Sequence, residues 1–441
     1  MAQRAGTSRS IARKVGGNRP RVVIVGAGFG GISTAKALAK MPVEVTLVDR
    51  QNYHGFWPLL YQVATAGLAP DDIAYNVRGI FRDQANASVR LATVTGIDLD
   101  ARLVHLDPGA SLAYDYLVLA TGSTNNDYGV PGVAEHAFPL KSLTDALALR
   151  NHLLGVFEAA QNDPRLHDAG ALTTVVAGGG PTGVEVSGAL VELFAVLDGD
   201  FKGLDVGRAR VVLVEMADHL LPGFAESSQA EALRTLGARR VDVRLETAIA
   251  EVGADGVTLS DGSFVATRTL VWAAGVRANP LVDGLGLAQS RGGRLVVEED
   301  LSVPGRPEVF AIGDVAAAGA ERSRDGTPYP QLAPVAMQAG RHVAQTIDRR
   351  GHGLPGQPFR YRDKGKMATI GRRAAVAELP YGIRFGGTPG WLAWLGLHLV
   401  FLVGFRNRAA VLLSWAWNYV TWDRGHRVIL SVDTPRRELD R

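Results

Sequence analysis

The stretch RVVIVGAGFGGISTAKALAK, residues 21–40, determines how the start of this chain folds. It opens with a β-branched run, residues 22–25, which is typical of a buried parallel strand. Three glycines follow at once, Gly26, Gly28 and Gly31, and an Ala- and Leu-rich helical pattern comes next. Gly26 permits a tight turn, Gly28 lets a pyrophosphate approach the backbone, and Gly31 lets helix and strand pack closely. This pattern predicts a strand–loop–helix unit whose helix N-terminus binds a phosphate.

A second strand with a terminal acid completes the unit. The segment VEVTLVDR ends in Asp49, eighteen residues after Gly31. This is where dinucleotide-binding folds place the carboxylate that holds a ribose hydroxyl. The glycine pattern alone would be weak evidence, but strand, glycines, helix, strand and acid in this order predict a complete dinucleotide-binding unit.

The same pattern recurs in residues 173–193, TTVVAGGGPTGVEVSGALVEL, with Gly178, Gly180 and Gly183 at the loop. The following strand, RVVLVEM, ends in Glu215. This acid would repel a 2′-phosphate, and no Arg or Lys lies in the EMADHL segment, which favours NADH over NADPH.

Two dinucleotides in one polypeptide indicate that electrons pass between them. NADH supplies a hydride, and a flavin is its natural acceptor. The motifs by themselves do not tell which unit holds which cofactor.

Composition excludes several classes of chemistry. The 441 residues leave room for two or three domains, and there is no cysteine. Disulfide scaffolds, thiolate metal sites, iron–sulfur clusters and dithiol redox mechanisms are therefore impossible. The ten His residues show no ligand spacing such as HExxH, so we predict no metal, and no feature predicts binding to nucleic acid.

The chain begins with a basic segment. Residues 1–21 hold six Lys or Arg side chains and no acid, which predicts a disordered basic tail over residues 1–20. A solvated tail and contact with anionic lipid headgroups are both consistent with it. The segment lacks the apolar core of a secretory signal, so a cytoplasmic location is expected.

Three further segments resemble a known superfamily. YDYLVLATGS (residues 114–123), LVWAAGV (270–276) and EVFAIGDVA (308–316) are similar to conserved segments of the two-dinucleotide-binding-domain flavoproteins, which have the glutathione-reductase-like fold. The resemblance implies FAD in the first unit and NADH in the second. Without cysteine, disulfide reductases, thioredoxin reductases and sulfide:quinone reductases are excluded.

Within that group the chain resembles the type II NADH dehydrogenases, which are non-proton-pumping NADH:quinone oxidoreductases. The matching segments are YHGFWPLLYQVATAGL (residues 53–68), LAPVAMQAGRHVA (332–344) and FRYRDKGKMATIGRRAAV (359–376). The resemblance runs from about residue 20 to 430. The family often has a Gln where this chain has Pro334, so its preference among quinones stays open, with menaquinone and ubiquinone as candidates.

The resemblance implies a set of site residues. Those for FAD are Gly26, Gly28, Phe29, Gly30, Gly31, Asp49, Arg50, Val94, Thr121, Gly122, Gly313 and Asp314. Those for NADH are Gly178, Gly180, Pro181, Thr182, Gly183, Glu215 and Gly275. The candidates for the quinone are Gln62, Ala333, Gln338 and Lys364.

Glu185 is the candidate catalytic residue. In the family a Glu at this place lies near the flavin and has been proposed to assist proton or hydride transfer to the quinone. The alternative is an acid in the first helical turn that the helix dipole stabilises. Lys364 and Lys366 also have two possible interpretations. They could lie near the flavin or the quinone entrance, or they could be ordinary surface lysines, and the sequence does not distinguish the two.

The stretch WLAWLGLHLVFLVGF, residues 391–405, carries no charge. As a helix it would be about 22 Å long, whereas a membrane span needs about 30 Å. Arginines follow it, and a second apolar segment, residues 409–422, is rich in Trp and Tyr. We predict helices that lie in one membrane leaflet, with Arg406, Arg408 and Arg424 reaching lipid phosphates. A buried core helix and a true span are the alternatives.

Together these observations predict an α/β fold with two Rossmann-like domains and a C-terminal membrane-associating domain. The FAD domain is expected over residues 21–145 and 290–345, the NADH domain over 146–289, and the last domain over 346–441. The predicted enzyme is a respiratory-chain flavoprotein on the cytoplasmic face of the plasma (inner) membrane, a homodimer by resemblance. A soluble reductase of ferredoxin or rubredoxin and a non-catalytic NADH sensor are the alternatives.

Overall fold

The computed structural model describes residues 19–323, 326–421 and 423–430. Almost all of the predicted basic tail and residues 431–441 lie outside the described part. The chain divides into two compact units. The first unit contains residues up to 54, 76–124 and 276–363, and the second contains 55–75, 125–275 and residues from 364 onward.

The first unit is built on a six-stranded sheet. Strand Arg21–Val25 lies at its centre and pairs in parallel with Glu44–Asp49 on one side and Tyr116–Leu119 on the other. Val22 and Ile24 are completely buried, as expected of a parallel sheet covered on both faces. The spatial order of the strands is Ser302–Val303, Arg306–Ala311, Tyr116–Leu119, Arg21–Val25, Glu44–Asp49 and Ala87–Leu91.

One face of this sheet is covered by helices and the other by an antiparallel sheet. Helices Phe29–Ala37 and Ala333–Gly351 pack together closely, because a Cβ at Gly340 would lie only 2.5 Å from the Gly30 carbonyl oxygen. The remaining elements of this unit are helix Val77–Ile80 and strands Thr93–Asp98, Leu103–Asp107, Ala110–Ala113, Val276–Ala278, Gln289–Ser290 and Arg294–Leu295. Three short strands, Tyr53–Gly55, Ala74–Asn76 and Ser123–Asn125, lie where the chain leaves or enters the unit.

The second unit repeats this design with a five-stranded parallel sheet. Its central strand Thr173–Ala177 is entirely buried and leads into helix Pro181–Asp200. The spatial order of the strands is Ala137–Pro139, Thr269–Trp272, Thr173–Ala177, Arg210–Val214 and Asp242–Arg244. The prediction of two Rossmann-like domains is confirmed.

Two antiparallel sheets and further helices complete the second unit. The sheet strands are Ile249–Val252, Gly256–Leu259, Phe264–Ala266, Lys366–Gly371, Ala374–Glu378 and Arg384–Gly386. The helices besides Pro181–Asp200 are Leu60–Ala64, Val133–His136, Leu143–Asn162, Arg165–Asp168, Glu226–Ala238, Gly387–Phe401 and Phe405–Thr421. Strand Lys366–Gly371 lies directly against helix Pro181–Asp200 at Gly188, where a Cβ would stand 2.2 Å from the Ile370 carbonyl oxygen.

The last two helices each bury one face and expose the other. Gly390, Trp391 and Trp394 are buried on the first helix, and Asn407, Val411 and Trp415 on the second. The exposed faces are also apolar, with Leu392, Leu397, Val400, Phe401, Phe405, Leu412, Leu413, Trp417 and Val420. Over the described residues, no helix combines the length and the apolar character that crossing a membrane requires.

The domain boundaries differ from those expected. Strand Ala137–Pro139 pairs with Thr269–Trp272, so residues 125–145 belong to the second unit rather than the first. Ala278 and Val282 pack in the core of the first unit, so that unit resumes at residue 276 rather than 290. The predicted C-terminal domain is not a separate unit, because its strands and helices pack on helix Pro181–Asp200 and its neighbours.

Candidate functional site

The first glycine loop, residues 26–31, has a shape that only glycine allows. Gly26 has φ = +110°, and a Cβ there would lie 2.2 Å from the Ala120 carbonyl oxygen. A Cβ at Gly31 would lie 1.9 Å from the Gly26 carbonyl oxygen. Gly28 has no atom within 4 Å of its missing Cβ. The loop is therefore closed on its protein side and open at Gly28, as an approaching phosphate requires.

Asp49 supports this loop from the end of its strand. Its carboxylate accepts the Ala27 N–H at 2.6 Å and the Gln51 N–H at 2.8 Å. Burial raises the pKa of Asp49 above its ordinary value, against the opposing effect of these N–H donors. A carboxylate has about four acceptor positions, so two remain for ribose hydroxyls.

Further groups that fit a flavin nucleotide lie at the same, carboxyl end of this parallel sheet. The Thr121 hydroxyl is buried and has no hydrogen-bond partner among the described residues. The Asp314 carboxylate accepts the Ser123 O–H at 2.6 Å, at a turn opened by Gly313 with φ = +73°. An orphaned hydroxyl beside an acid suits the hydroxyl and phosphate groups of FAD.

The other predicted FAD residues differ in exposure. Phe29 contacts His54 edge to face at 4.9 Å, and Gly30 is buried under Ile312. Val94 and Gly122 are half-buried, and Arg50 is exposed.

The second glycine loop, residues 178–183, reproduces the first. Gly178 has φ = +104°, and a Cβ there would lie 2.6 Å from the Ala273 carbonyl oxygen. A Cβ at Gly183 would lie 1.8 Å from the Gly178 carbonyl oxygen, and Gly180 faces open space. This loop is therefore also closed on its protein side and open at Gly180, so it can hold a pyrophosphate too.

Glu215 supports the second loop in the same way as Asp49 supports the first. Its carboxylate accepts the N–H groups of Gly179 and of Ala217. Pro181 and Thr182 are exposed at the start of the helix. Gly275 has φ = +151°, and a Cβ there would lie 2.3 Å from the Tyr128 hydroxyl. These residues lie within one unit, so the structure can accommodate NADH there.

Glu185 lies deep in the second unit, although part of its side chain remains accessible. The Thr369 N–H donates to its Oε1 at 3.3 Å. The Trp394 indole N–H faces the same carboxyl without reaching hydrogen-bond geometry. Burial raises the pKa of Glu185 to about 8, and these two N–H groups only partly oppose it. Glu185 lies beyond the first helical turn, so the alternative of a dipole-stabilised first-turn acid is wrong.

A cavity of about 60 Å³ lies beside Glu185 in the same unit. We call it the aromatic cavity. It is lined by Tyr61, Gln62, Thr65, Gly67, Ala189, Glu192, Val196, Thr369, Gly371, Arg372, Trp391, Trp394, Trp415, Asn418, Tyr419 and Arg424. Thr369 and Trp394 are shared, since they line the cavity and also face the Glu185 carboxyl. Glu185 itself does not line the cavity.

The four predicted quinone residues are not all brought together. Gln62 lines the aromatic cavity, with its Oε1 accepting the Trp415 indole N–H at 2.7 Å. Ala333 begins a helix of the other unit. Gln338, in that helix, uses both ends of its amide on the backbone of Arg362, and Lys364 is exposed.

The contacts of Lys366 indicate a structural role. Its ammonium group donates to the Gly223 carbonyl, lies 3.5 Å from the Glu378 carboxylate and stands 5.0 Å from the centre of the Phe224 ring. These contacts join strand Lys366–Gly371 to the loop before helix Glu226–Ala238.

Two of the three arginines expected at lipid phosphates make hydrogen bonds within the protein. Arg424 donates to the Glu192 carboxylate at 2.9 Å and to the Thr65 carbonyl at 2.7 Å. Arg408 donates to the carbonyls of Leu402 and Val400 at the end of the preceding helix. For Arg424 the expectation is wrong, because its guanidinium group is largely buried and binds a carboxylate and a carbonyl of the protein. Arg408 is exposed in spite of its two hydrogen bonds, so for Arg408 the expectation stays a prediction. Arg406 is exposed.

The residues that sequence reasoning missed are Tyr61, Glu192, Thr369, Trp394 and Trp415. All five line the aromatic cavity. The Trp residues repeat at helical spacing, which is as typical of a core stripe as of a site. Nothing in the sequence pairs them with Glu185.

Within residues 19–323, 326–421 and 423–430, no group of three or more His, Cys, Asp or Glu side chains is placed so that it could hold a metal ion.

The chain is similar to known proteins over most of its length. Residues 20–340 match the pyridine nucleotide-disulphide oxidoreductases. A type II NADH:quinone oxidoreductase of Mycobacterium tuberculosis is 40% identical over 433 residues, covering 94% of this chain and 90% of that protein. One from Staphylococcus aureus is 32% identical over 369 residues, covering 81% and 89%. The structure of NDH2 from Plasmodium falciparum in complex with NADH has a similar fold, with a TM-score of 0.85, 18% identity, and coverage of 94% of this chain and 100% of that one.

Proposed function

Because the chain belongs to the type II NADH:quinone oxidoreductases, we propose that it transfers two electrons from NADH through FAD to a quinone without pumping protons. The observation that carries this proposal is the duplication of one loop geometry. Gly26–Asp49 and Gly178–Glu215 give the same closed turn, open glycine and supporting carboxylate in a chain without cysteine.

Each cofactor is assigned to one loop. The first loop, with Asp49, Thr121 and Asp314, would hold FAD, and the second, with Glu215 and Gly275, would hold NADH. When bound, FAD accepts a hydride from NADH and passes two electrons on to the quinone. The protein positions both dinucleotides by backbone N–H groups and carboxylates, and it excludes thiol side reactions because it has no thiol.

Glu185 would supply a proton to the quinone. The overall reaction, NADH + H⁺ + quinone → NAD⁺ + quinol, takes one proton from water. Since burial raises the pKa of Glu185 to about 8, this carboxyl is mostly protonated at neutral pH and can donate. Glu185→Gln keeps the shape of the side chain and removes the proton.

Stopped-flow absorbance separates the two half-reactions. We expect Glu185→Gln to slow quinone reduction by at least tenfold while flavin bleaching by NADH stays at the wild-type rate. Equal slowing of both half-reactions, or of neither, would remove Glu185 from proton delivery.

The exposed faces of the last two helices would dock on a membrane, which is where a lipid-soluble quinone is found. Leu413 is 70% exposed and Val420 is 80% exposed, and burying such side chains in lipid contributes about 25 cal/mol per Å². Arg406 can reach lipid phosphates beside them. Two further predictions are a location on the cytoplasmic face of the plasma membrane and assembly as a homodimer. Light scattering would measure the oligomeric state.

The test follows NADH oxidation by the FAD-loaded protein with a short-chain ubiquinone, a short-chain menaquinone or ferredoxin. Liposome flotation is measured for the wild type, for Leu413→Asp/Val420→Asp, and for Phe264→Asp as a matched control, since Phe264 is 60% exposed elsewhere in the same unit. Turnover with a quinone, and flotation lost in the double variant alone, supports the proposal. Turnover with ferredoxin alone refutes the quinone activity, and equal flotation of all three proteins refutes the docking surface.

A further inference from the structure

His54 is a buried residue that contacts the first glycine loop. It is 4% exposed, and its Nδ1 lies 3.1 Å from the Ala27 carbonyl oxygen. The Phe29 ring stands edge to face against the imidazole, with 4.9 Å between the ring centres. The N–H of Ala27 donates to the Asp49 carboxylate at 2.6 Å. Both backbone polar groups of Ala27 are therefore held by side chains, one by an acid and the other by an imidazole.

The hydrogen bond to Ala27 determines which nitrogen of His54 carries the proton. Burial lowers the pKa of His54 to about 4. The imidazole is therefore neutral at neutral pH, and it has one N–H donor and one acceptor nitrogen. Because a carbonyl oxygen can only accept a hydrogen bond, the proton of the ring lies on Nδ1. The other nitrogen, Nε2, carries a lone pair.

The lone pair of Nε2 has no donor among the described residues, where the bond to Ala27 is the only hydrogen bond of His54. Buried polar atoms in folded proteins are nearly always paired, and an unpaired one reduces stability. If this position served packing alone, an apolar ring would avoid that loss. The missing donor is thus expected from a molecule that binds at the loop.

We propose that His54 is an FAD-binding residue in which each ring nitrogen has its own task. Nδ1 holds the Ala27 carbonyl and so keeps the first glycine loop in the shape that admits a pyrophosphate. Nε2 accepts a hydrogen bond from a hydroxyl group of the bound cofactor, since FAD carries O–H donors on its ribityl chain and on its ribose. This inference rests on the proposed function, because the proposed function assigns FAD to the first loop.

The experiment dilutes the FAD-loaded, full-length protein and obtains the Kd for FAD from the fluorescence of the released flavin. His54→Asn keeps an N–H donor as far from the backbone as Nδ1 and removes Nε2. His54→Gln keeps a polar group as far from the backbone as Nε2 and removes Nδ1. Each variant loses one hydrogen bond, so each Kd should rise about tenfold. His54→Phe loses both bonds, and its Kd should rise about a hundredfold.

Two controls separate FAD binding from folding. His342→Phe is the matched variant, because His342 also has one ring nitrogen at a backbone carbonyl of the first unit, that of Gln357 at 2.8 Å. It should bind FAD as the wild type does. The second control is the melting temperature of each protein after dialysis against FAD-free buffer. His54→Asn keeps the bond to Ala27, so without FAD it should melt as the wild type does.

The outcomes distinguish the inference from the assignment on which it rests. If all three His54 variants bind FAD as the wild type does, or melt lower with an unchanged Kd, the imidazole only fills the core and the inference is overturned. A weaker His54→Gln beside an unchanged His54→Asn would overturn the bond from Nε2 to the cofactor and leave water as its partner. If Gly31→Ala binds FAD as tightly as the wild type, the first loop does not hold FAD and the assignment fails as well.

Discussion

Replacing Glu185 with Gln should raise the free energy of unfolding, by an amount that grows as the pH rises from 4.5 to about 8. Below its ordinary pKa of 4.5 the Glu185 carboxyl is protonated in the folded and the unfolded chain alike, so its titration does not change the free energy of unfolding. Above 4.5 the unfolded chain ionises while the folded chain holds its proton up to about pH 8. The folded state therefore loses stability as pH rises through this window.

The magnitude follows from the two pKa values. The difference between 4.5 and about 8 corresponds to about 5 kcal/mol at pH 8 and above, and to about 3 kcal/mol at pH 7. Gln has the shape of the protonated acid but does not ionise, so the Glu185→Gln variant does not lose this stability as the pH rises. For a chain of this size the difference in Tm would be on the order of 5 °C.

The assay is the melting temperature of the FAD-loaded wild type and of Glu185→Gln at pH values from 4.5 to 9. We expect the two curves to meet at the acidic end and the variant to melt higher at the alkaline end. Parallel curves across the whole range would refute the reasoning, because the carboxyl would then not be held protonated by burial. A more stable but slower variant would mean that this site is optimised for proton donation at the expense of stability.

Three other substitutions test the loops and the cavity wall. Gly31→Ala brings a Cβ within 1.9 Å of the Gly26 carbonyl oxygen, so the purified protein should contain less than about a tenth of the normal flavin absorbance. Gly183→Ala makes the equivalent clash in the second loop, and it should raise the KM for NADH at least tenfold with the flavin content unchanged. Glu192→Gln weakens the ion pairs to Arg239 and Arg424, so thermal unfolding should show a loss of about 2 kcal/mol. A wild-type result in any one of them would contradict the corresponding contact.

Both dinucleotide loops could be predicted because their chemistry is local in the chain. Gly26 and Gly31 meet across one turn, and Asp49 reaches Ala27 from the very next strand. Strand, glycine spacing and terminal acid therefore appear together in one short window of sequence. The same holds for the second loop, which is why the two-Rossmann fold could be predicted and was confirmed. The extent of each unit could not be predicted, because it depends on which distant strand accepts Ala137–Pro139.

The surroundings of Glu185 were decided by the tertiary structure alone. Its backbone donor Thr369 comes from a strand 184 residues further along the chain, and Gln62 and Trp415 are separated by 353 residues. Periodicity identified Trp415 only as an apolar residue at helical spacing, and Arg424 only as a cation beside an apolar segment. Burial determines the pKa of Glu185, and burial is produced by packing between segments that no local pattern relates. The sequence alone thus determined which dinucleotides this protein holds, and the fold decided which acid stays protonated and that Arg424 faces inward.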